Sequence, residues 1–121
     1  MTPHQAVCHL ADSFKATLGD RPLTASKPDV KRKFTRFVAF TLPLPWPKGV
    51  PTSPDVQAEK GGTPPGEFAK DVAELRSLME RFVATGGVTL APHYVWGAMS
   101  RGEWGRYGYR HMDHHLRQFG V

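Results

Sequence analysis

The C-terminal stretch SRGEWGRYGYRHMDHHLRQFG, residues 100–120, predicts an amphipathic helix. Ser100 and Glu103 match a Ser-x-x-Glu capping box, so the helix begins directly after Ser100, runs to Phe119 and ends at Gly120. At about 100° per residue, one stripe about 80° wide collects Trp104, Tyr107, Gly108, His111, His115 and Gln118. The opposite side carries the charges of Glu103, Arg106, Arg110, Asp113 and Arg117. We therefore expect the stripe to be the buried side of this helix.

The two histidines of this stripe are candidate metal ligands. His111 and His115 occupy positions that packing alone would give to Leu or Met. Side chains four residues apart have Cβ atoms about 5 to 6 Å apart, so both rings can reach one cation at about 2.0 to 2.1 Å. Zn, Ni or Fe would suit such a pair, and Gln118 could hold the second ring nitrogen of a ligand. The same pattern also fits two hydrogen-bonded core histidines, and the residues alone leave both interpretations open.

The other four histidines carry weaker signals. His9 is the natural third ligand because it lies on a different helix, yet it falls on a polar face with Asp12 that could be a cleft wall or plain surface. We expect His4 and His114 to be surface residues or supports for the ligands. His93 lies in a loop beside aromatic residues and could cap the site, but no spacing supports it.

The first helix is predicted over residues Pro3 to Leu18. Thr2 and Gln5 form a capping box around a proline at the first helical position, and Gly19 stands where a left-handed cap ends a helix. Val7, Leu10, Phe14 and Leu18 follow the helical period.

A second helix should follow the capping pair Ser26 and Asp29 and end at Pro43. Its apolar face would comprise Val30, Phe34, Phe37 and Val38. From Pro43 to Pro65 the chain contains seven of its eleven prolines, which predicts an extended loop that either lines a site or is mobile.

A third helix should start between Thr63 and Glu67 and stop at Gly86 and Gly87. Its apolar stripe comprises Phe68, Val72, Leu75, Met79 and Phe82. Since no segment alternates strictly, we predict an all-α fold: a helical bundle of up to four main helices with a long Pro/Gly-rich loop, in a single domain over residues 1–121.

Composition limits the functional classes. The single Cys8 excludes an internal disulfide framework, and we recognise no leader peptide, so a reducing cytoplasm is expected. The formal charge is +5, and one short stretch contains Lys27, Lys31, Arg32, Lys33 and Arg36. We interpret this stretch first as a solvated helix face and second as a site for an anionic ligand. A nucleic-acid or lipid surface is the least favoured interpretation. No apolar run reaches the ~18 residues of a membrane span.

Two segments resemble the DinB-like metal-binding helical bundles. TPHQAVCHLADSF (2–14) is similar to that family's first ligand helix, and HMDHHLRQFG (111–120) to its closing His-x-x-x-His-x-x-Gln pattern. EFAKDVAELRSLMERF (67–82) and APHYVWGAMSRGEWGRYGYRH (91–111) resemble an uncharacterised branch of these proteins. The resemblance implies a four-helix bundle in which three histidines hold one divalent metal. Matched residue by residue, the ligands would be His9, His111 and His115.

The resemblance also implies a chemistry. Some members transfer thiol cofactors such as bacillithiol onto electrophiles, and an open metal position would deprotonate water or thiol near neutral pH. We therefore expect a metal-dependent transferase or hydrolase acting on a small molecule, with Asp12 as the nominated acid or base. A peptidase is not supported because His-Glu-x-x-His is absent. The rival is a non-enzymatic module whose basic helix contacts an anionic partner.

One departure from the family concerns the start of the chain. Members usually have a helix before the first ligand helix, whereas this sequence opens on the ligand helix itself. Either the start is shortened or a second chain supplies the missing packing, so a homodimer is expected.

Overall fold

The computed structural model describes residues 1–23, 32–46, 53–57, 60–85, 90–93 and 95–121. These residues form four α-helices, α1 (Pro3–Leu18), α2 (Arg32–Thr41), α3 (Phe68–Ala84) and α4 (Arg101–Gln118), and a 3-10 turn at Pro54–Val56. The described residues form no β-strand. His93 and Gly97 form an isolated antiparallel β-bridge. The all-α prediction is confirmed.

The chain divides into two compact units. The first unit comprises Met1–Thr24 and Thr52–Ala91 and contains α1 and α3, which pack against each other. The second unit comprises Ala25–Pro51 and Pro92–Val121 and contains α2 and α4, also in contact. Each unit thus pairs two helices that are distant in sequence.

Helix α1 begins and ends where the sequence predicts. The Thr2 hydroxyl accepts a hydrogen bond from the Gln5 backbone N–H at 3.1 Å, and the Gln5 side chain accepts from the Thr2 N–H at 2.8 Å. Gly19 adopts a left-handed conformation at φ +84°, and its N–H donates to the Ala16 carbonyl at 3.1 Å. Both ends are therefore determined by local hydrogen bonds that need no tertiary contact.

The core of the first unit lies between α1 and α3. The Phe14 and Phe82 rings meet edge to face with centroids 5.5 Å apart, a geometry that aromatic pairs favour. The buried apolar side chains of the two helices are Ala6, Cys8, Leu10, Ala11, Phe14, Leu75, Leu78 and Phe82. Helix α3 begins after Glu67, at the late end of the predicted interval, and Gly86 and Gly87 lie outside the described residues. Phe68, the first residue of the predicted apolar stripe, is exposed.

The prediction of a purely extended loop between Pro43 and Pro65 is wrong at the 3-10 turn Pro54–Val56. Val56 is buried, and the turn contacts α1. The Gly61 N–H donates to the Pro54 carbonyl at 2.9 Å, which closes the segment on itself. A Cβ at Gly62 would lie 2.6 Å from the Gln57 carbonyl oxygen, so this approach requires glycine. The 3-10 turn within this loop is therefore held by packing on α1.

Among the described residues of the second unit, an ion pair and an aromatic cluster join α2 and α4. Arg36 Nε donates to Glu103 Oε2 at 2.6 Å. The buried Phe40 ring lies 5.0 Å from Trp96 and 6.5 Å from Tyr107, in both cases edge to face. Aromatic pairs of this kind contribute about 0.5 to 1.5 kcal/mol each beyond the area that they bury.

The predicted apolar face of α2 is wrong in its direction. Phe34 and Phe37 are 69% and 55% exposed, whereas Phe40, one turn further on, is buried. Helical spacing shows which side chains share a face, but it cannot show which face a neighbour will cover. Ser26, Asp29 and Val30 lie outside the described residues, so the predicted start of this helix has no structural counterpart.

Helix α4 also begins as predicted. Ser100 Oγ accepts from the Glu103 N–H at 3.2 Å, and Glu103 Oε1 accepts from the Ser100 N–H at 3.1 Å. Trp104 and His115 are buried on the predicted stripe, and Tyr107, Gly108 and His111 are half-buried. Gln118, at the end of the stripe, is exposed because the helix stops there.

Within the described residues, no helix is both long enough and apolar enough to cross a membrane. This agrees with the sequence, in which no apolar run approaches that length.

Candidate metal centre

The predicted histidine pair on α4 is present in the second unit. His111 Nε2 and His115 Nε2 lie 3.1 Å apart, with ring centroids separated by 4.8 Å. Two nitrogens bound to one tetrahedral zinc at about 2.05 Å would lie about 3.3 Å apart. The pair therefore already has the spacing that a shared ion needs. Without an ion, one nitrogen donates a hydrogen bond and the other accepts it, so at least one ring is neutral.

Gln118 orients His115 as expected. His115 Nδ1 donates to Gln118 Oε1 at 3.0 Å, which assigns the proton of the neutral ring to Nδ1 and leaves the Nε2 lone pair directed at His111. The amide of Gln118 in turn donates to His114 Nε2 at 3.4 Å. This is the arrangement found in metal sites, where the distal ring nitrogen of a ligand is held by an oxygen acceptor. His114 is therefore half-buried, contacts Gln118 and lies beside the His111–His115 pair.

Aromatic rings form a wall beside the histidine pair. Tyr107, one turn earlier on α4, has its ring centroid 5.1 Å from that of His111. Trp46 stacks on His111 with centroids 6.3 Å apart and lies 6.1 Å from His114. Trp46 also donates its indole N–H to the Ala39 carbonyl at 3.0 Å, which holds the ring in place. No motif or spacing pointed to Trp46, because it follows α2 in a proline-rich segment.

His93 is buried among aromatic rings of the second unit. Its Nδ1 accepts hydrogen bonds from the backbone N–H groups of Val95 and Trp96, at 3.0 and 3.3 Å. Its ring lies 4.6 Å from the Trp96 centroid and 4.8 Å from that of Tyr107. With Nδ1 engaged by the backbone, His93 organises the loop before α4.

Trp104 is the buried centre of the same aromatic cluster. Its ring lies 5.6 Å from His93 and 5.6 Å from Tyr107. Its indole N–H has no hydrogen-bond acceptor among the residues that the structure describes. A buried donor in that state costs about 1 to 3 kcal/mol.

His9 lies on α1 in the first unit and is only 2% exposed, so the expectation that its face could be plain surface is wrong. His9 Nδ1 donates to the Val56 carbonyl oxygen at 2.8 Å. The proton of the neutral ring is therefore on Nδ1, and Nε2 presents a lone pair. Burial lowers the pKa of His9, which favours the neutral form that metal binding requires. The contact with Val56 explains why this polar face of α1 is covered.

A family model matches residues 4–120, a range that contains all six histidines. The chain belongs to the family described as "Protein of unknown function (DUF1569)". Neither a curated protein nor a solved structure matches it. Among the described residues, groups of histidine, cysteine and aspartate side chains could hold a metal ion.

Asp12, which the sequence nominated as an acid or base, is held by hydrogen bonds within the first unit. It is fully buried, and its carboxylate accepts from the Thr63 backbone N–H and hydroxyl, both at 2.7 Å. Arg21 Nη1 donates to the same carboxylate at 3.0 Å, and Nη2 donates to the Asp55 carbonyl at 2.8 Å. Both carboxylate oxygens are thus engaged, and the group links α1 to the segment that follows the 3-10 turn.

A second group of potential metal ligands lies in the first unit, and the sequence patterns did not reveal it. His4, predicted to be surface or a support, pairs with Asp71 at 2.6 Å, and Cys8 lies 3.7 Å from the same carboxylate oxygen. The spacing of His4 and Cys8, four residues apart on α1, was a usable signal of the same kind as that of the pair on α4. Asp71 could not be found in this way because it lies on α3.

Proposed function

We propose that this protein is a DinB-like metal-binding helical protein in which His9, His111 and His115 hold one divalent transition metal. The observation that carries the proposal is the pair on α4, whose Nε2 atoms lie 3.1 Å apart while Gln118 holds His115 Nδ1. The family model extends over residues 4–120, which supports one DinB-like domain containing all three ligands.

The tautomers of two of the three rings support this ligand set, whereas His111 donates Nε2–H to His115 and would give up that proton from Nε2 on binding the ion. His9 and His115 each donate Nδ1–H to an oxygen, Val56 O and Gln118 Oε1 respectively, so each presents Nε2 as the ligand atom. Neutral imidazoles suit Zn, Ni or Fe, and three of them leave a coordination position for water or substrate. An open position distinguishes a catalytic metal from a structural one.

The chemistry we propose is a metal-dependent transfer of a thiol, or a hydrolysis, on a small molecule. A bound divalent metal would supply a deprotonated water or thiol near neutral pH. The rings of Tyr107 and Trp46 beside His111 offer an apolar surface on which an organic substrate can pack. Asp12 is not part of this chemistry because its carboxylate is already fully hydrogen-bonded.

The rival proposal is a non-enzymatic module whose basic helix contacts an anionic partner. In the second unit Arg36 is paired with Glu103 at 2.6 Å, which removes one cation from that surface. Lys33 is exposed, while Lys27 and Lys31 lie outside the described residues. The pairing of Arg36 favours a solvated helix face, and nucleic acid is the least favoured partner.

The His9→Ala variant tests the third ligand. Replacing a residue that only supports a ligand costs about 10- to 100-fold in metal affinity, so loss of a ligand should cost at least about 100-fold. At a metal concentration a hundredfold above Kd the ion stabilises the fold by about 2.7 kcal/mol, and a hundredfold weaker Kd leaves about 0.4 kcal/mol. Zinc titration by calorimetry and the zinc-induced rise in Tm measure both quantities.

The matched control is His114→Ala, since His114 is a half-buried histidine next to His115 that the proposal does not use. It should keep the wild-type Kd and the full rise in Tm. If His9→Ala behaves like this control, the third ligand is not His9, and it must be sought among the remaining histidines.

We also propose that the protein forms a homodimer in a reducing cytoplasm, where the single Cys8 would remain a thiol. The exposed Phe34 and Phe37 on α2 support association. Sedimentation at roughly tens of micromolar, a range that detects weak interfaces, should show a dimer that Phe34→Glu with Phe37→Glu converts to monomer. Val83→Glu, an equally exposed apolar position on α3, is the control. A monomeric wild-type protein would refute the dimer, and disruption by Val83→Glu alone would move the interface to α3.

A further inference from the structure

Three potential metal ligands of different chemistry meet at one end of the α1–α3 interface, within the first unit. His4 and Cys8 lie one helical turn apart on α1, and Asp71 lies in the first turn of α3. His4 Nε2 is 2.6 Å from Asp71 Oδ2, and Cys8 Sγ is 3.7 Å from the same oxygen. The imidazole nitrogen, the sulfur and the carboxylate oxygen all lie within 4.8 Å of one another.

We propose that His4, Cys8 and Asp71 form a second metal site, for zinc or another divalent transition metal that accepts thiolate. Tetrahedral zinc with ordinary bond lengths places a sulfur and an oxygen ligand about 3.6 Å apart, and a nitrogen and an oxygen ligand about 3.4 Å apart. The observed S···O distance of 3.7 Å already matches. The N···O distance of 2.6 Å needs to widen by about 0.8 Å, which a rotation of the half-buried His4 side chain can provide.

The charges around the cluster favour a cation. The Gly66 backbone N–H donates to Asp71 at 2.9 Å, and this bond together with that from His4 lowers the pKa of Asp71, so the carboxylate is ionised. Burial raises the pKa of the Cys8 thiol to about 11, and the carboxylates of Asp71, Asp12 and Glu74 add to this effect. The same negative potential attracts a divalent ion. On binding, the ion forms a metal–sulfur bond while the thiol proton leaves to solvent.

One ligand of the proposed site is buried, and the other two are partly accessible to solvent. The Cys8 thiol is buried, whereas the His4 and Asp71 side chains are about one quarter and one fifth exposed. An ion can therefore enter past His4 and Asp71, and a water can complete the coordination. The Phe68 ring packs edge-on against His4 with centroids 5.1 Å apart, which limits the positions that the imidazole can take.

The alternative is a hydrogen-bonded tie that joins the N-terminal ends of α1 and α3. Such a tie accounts for the contacts of Asp71 with His4 and Gly66. Such a tie does not require a thiol at the position of Cys8. A measurement that reports on sulfur ligation therefore separates the two interpretations.

Cobalt titration of the untagged full-length protein provides that measurement. Bound Co²⁺ gives an intense near-ultraviolet thiolate-to-metal charge-transfer band only when a cysteine sulfur is a ligand. We expect this band in the wild-type protein, displaced by added zinc, and its complete loss in Cys8→Ser. The His115→Ala variant should retain the band, because the histidine site proposed above contains no sulfur. Failure of one proposal is thus distinguishable from failure of the other.

Two carboxylate variants complete the test. Asp71→Asn should weaken cobalt binding, read from the charge-transfer band, at least about tenfold. Glu80→Gln is the matched control: Glu80 is an exposed acid on the same helix and lies outside the cluster, and its substitution should leave the band within about twofold. If Cys8→Ser fails to fold, judged by circular dichroism, Asp71→Asn carries the test. Absence of the band from cobalt-saturated wild-type protein, or equal titrations for the two carboxylate variants, overturns the proposal.

Discussion

Replacing His115 with Ala should abolish metal binding at the site proposed on α4. The substitution removes one Nε2 of the pair, together with the hydrogen bond that Gln118 accepts, so His111 retains no partner four residues away. The test uses a Cys8→Ser background, in which the proposed sulfur site cannot bind zinc. The zinc content of the loaded protein, measured by elemental analysis, should fall from one equivalent to none. His114→Ala in the same background should keep one equivalent. Unchanged stoichiometry in His115→Ala would remove the central proposal.

Metal affinity at this site should decrease as pH falls below about 6.5, the ordinary imidazole value, because a ligating ring must be neutral. His9 opposes this decrease, since burial lowers its pKa and keeps it neutral to lower pH. For the same reason the unfolded chain binds a proton at His9 more readily than the folded chain does. Stability due to this residue is therefore present above about pH 6.5 and is lost as pH falls through the folded-state pKa.

The second large effect concerns stability. Asp12→Ala should destabilise the fold by about 3 to 5 kcal/mol, because it removes a fully buried carboxylate and leaves its hydrogen-bond donors, including the partly exposed Arg21, without their acceptor. The donors in question are Arg21 and the Thr63 backbone and hydroxyl groups, at 2.7 to 3.0 Å from the carboxylate. Urea unfolding followed by circular dichroism measures the change, and the midpoint should shift without loss of helix in the native baseline.

Asp20→Ala is the matched control, since Asp20 also pairs with an arginine, Arg81 at 2.7 Å, but on the exposed surface. An exposed pair contributes little, so this variant should unfold close to the wild-type midpoint. A double-mutant cycle with Arg21→Ala adds a second check, because two groups in one buried network should give non-additive losses. If Asp12→Ala unfolds like Asp20→Ala, Asp12 does not link α1 to the loop, and its role as an acid or base reopens.

The helix ends could be predicted because their determinants are local. The capping boxes of Thr2 with Gln5 and of Ser100 with Glu103 are both formed as the sequence indicates, and Gly19 adopts the left-handed conformation expected after α1. Every group in these motifs lies within four residues of its partner, so the rest of the chain hardly affects it. The histidine pair on α4 and its contact with Gln118 follow from the same short-range geometry.

Burial of particular faces could not be predicted, because covering a face requires a neighbour that periodicity does not specify. Phe34 and Phe37 share the face expected on α2 and yet are exposed. His9 lies on a polar face and yet is buried, because the 3-10 turn at Val56, 47 residues further along the chain, packs on it. Proline content correctly indicated that the described residues between Pro43 and Pro65 form no α-helix, but it could not indicate that the 3-10 turn would pack on α1.

The sequence by itself determined the all-α class, both ends of α1, the start of α4 and the pairing of His111 with His115, since each depends mainly on residues at most four positions apart. Only the tertiary structure decided that Asp12 is engaged by Thr63 and that Asp71 meets His4 and Cys8, because these partners lie 51 to 67 residues apart. Such distant groups come together only when burial of the α1–α3 interface offsets the loss of chain entropy, and no local pattern records that balance.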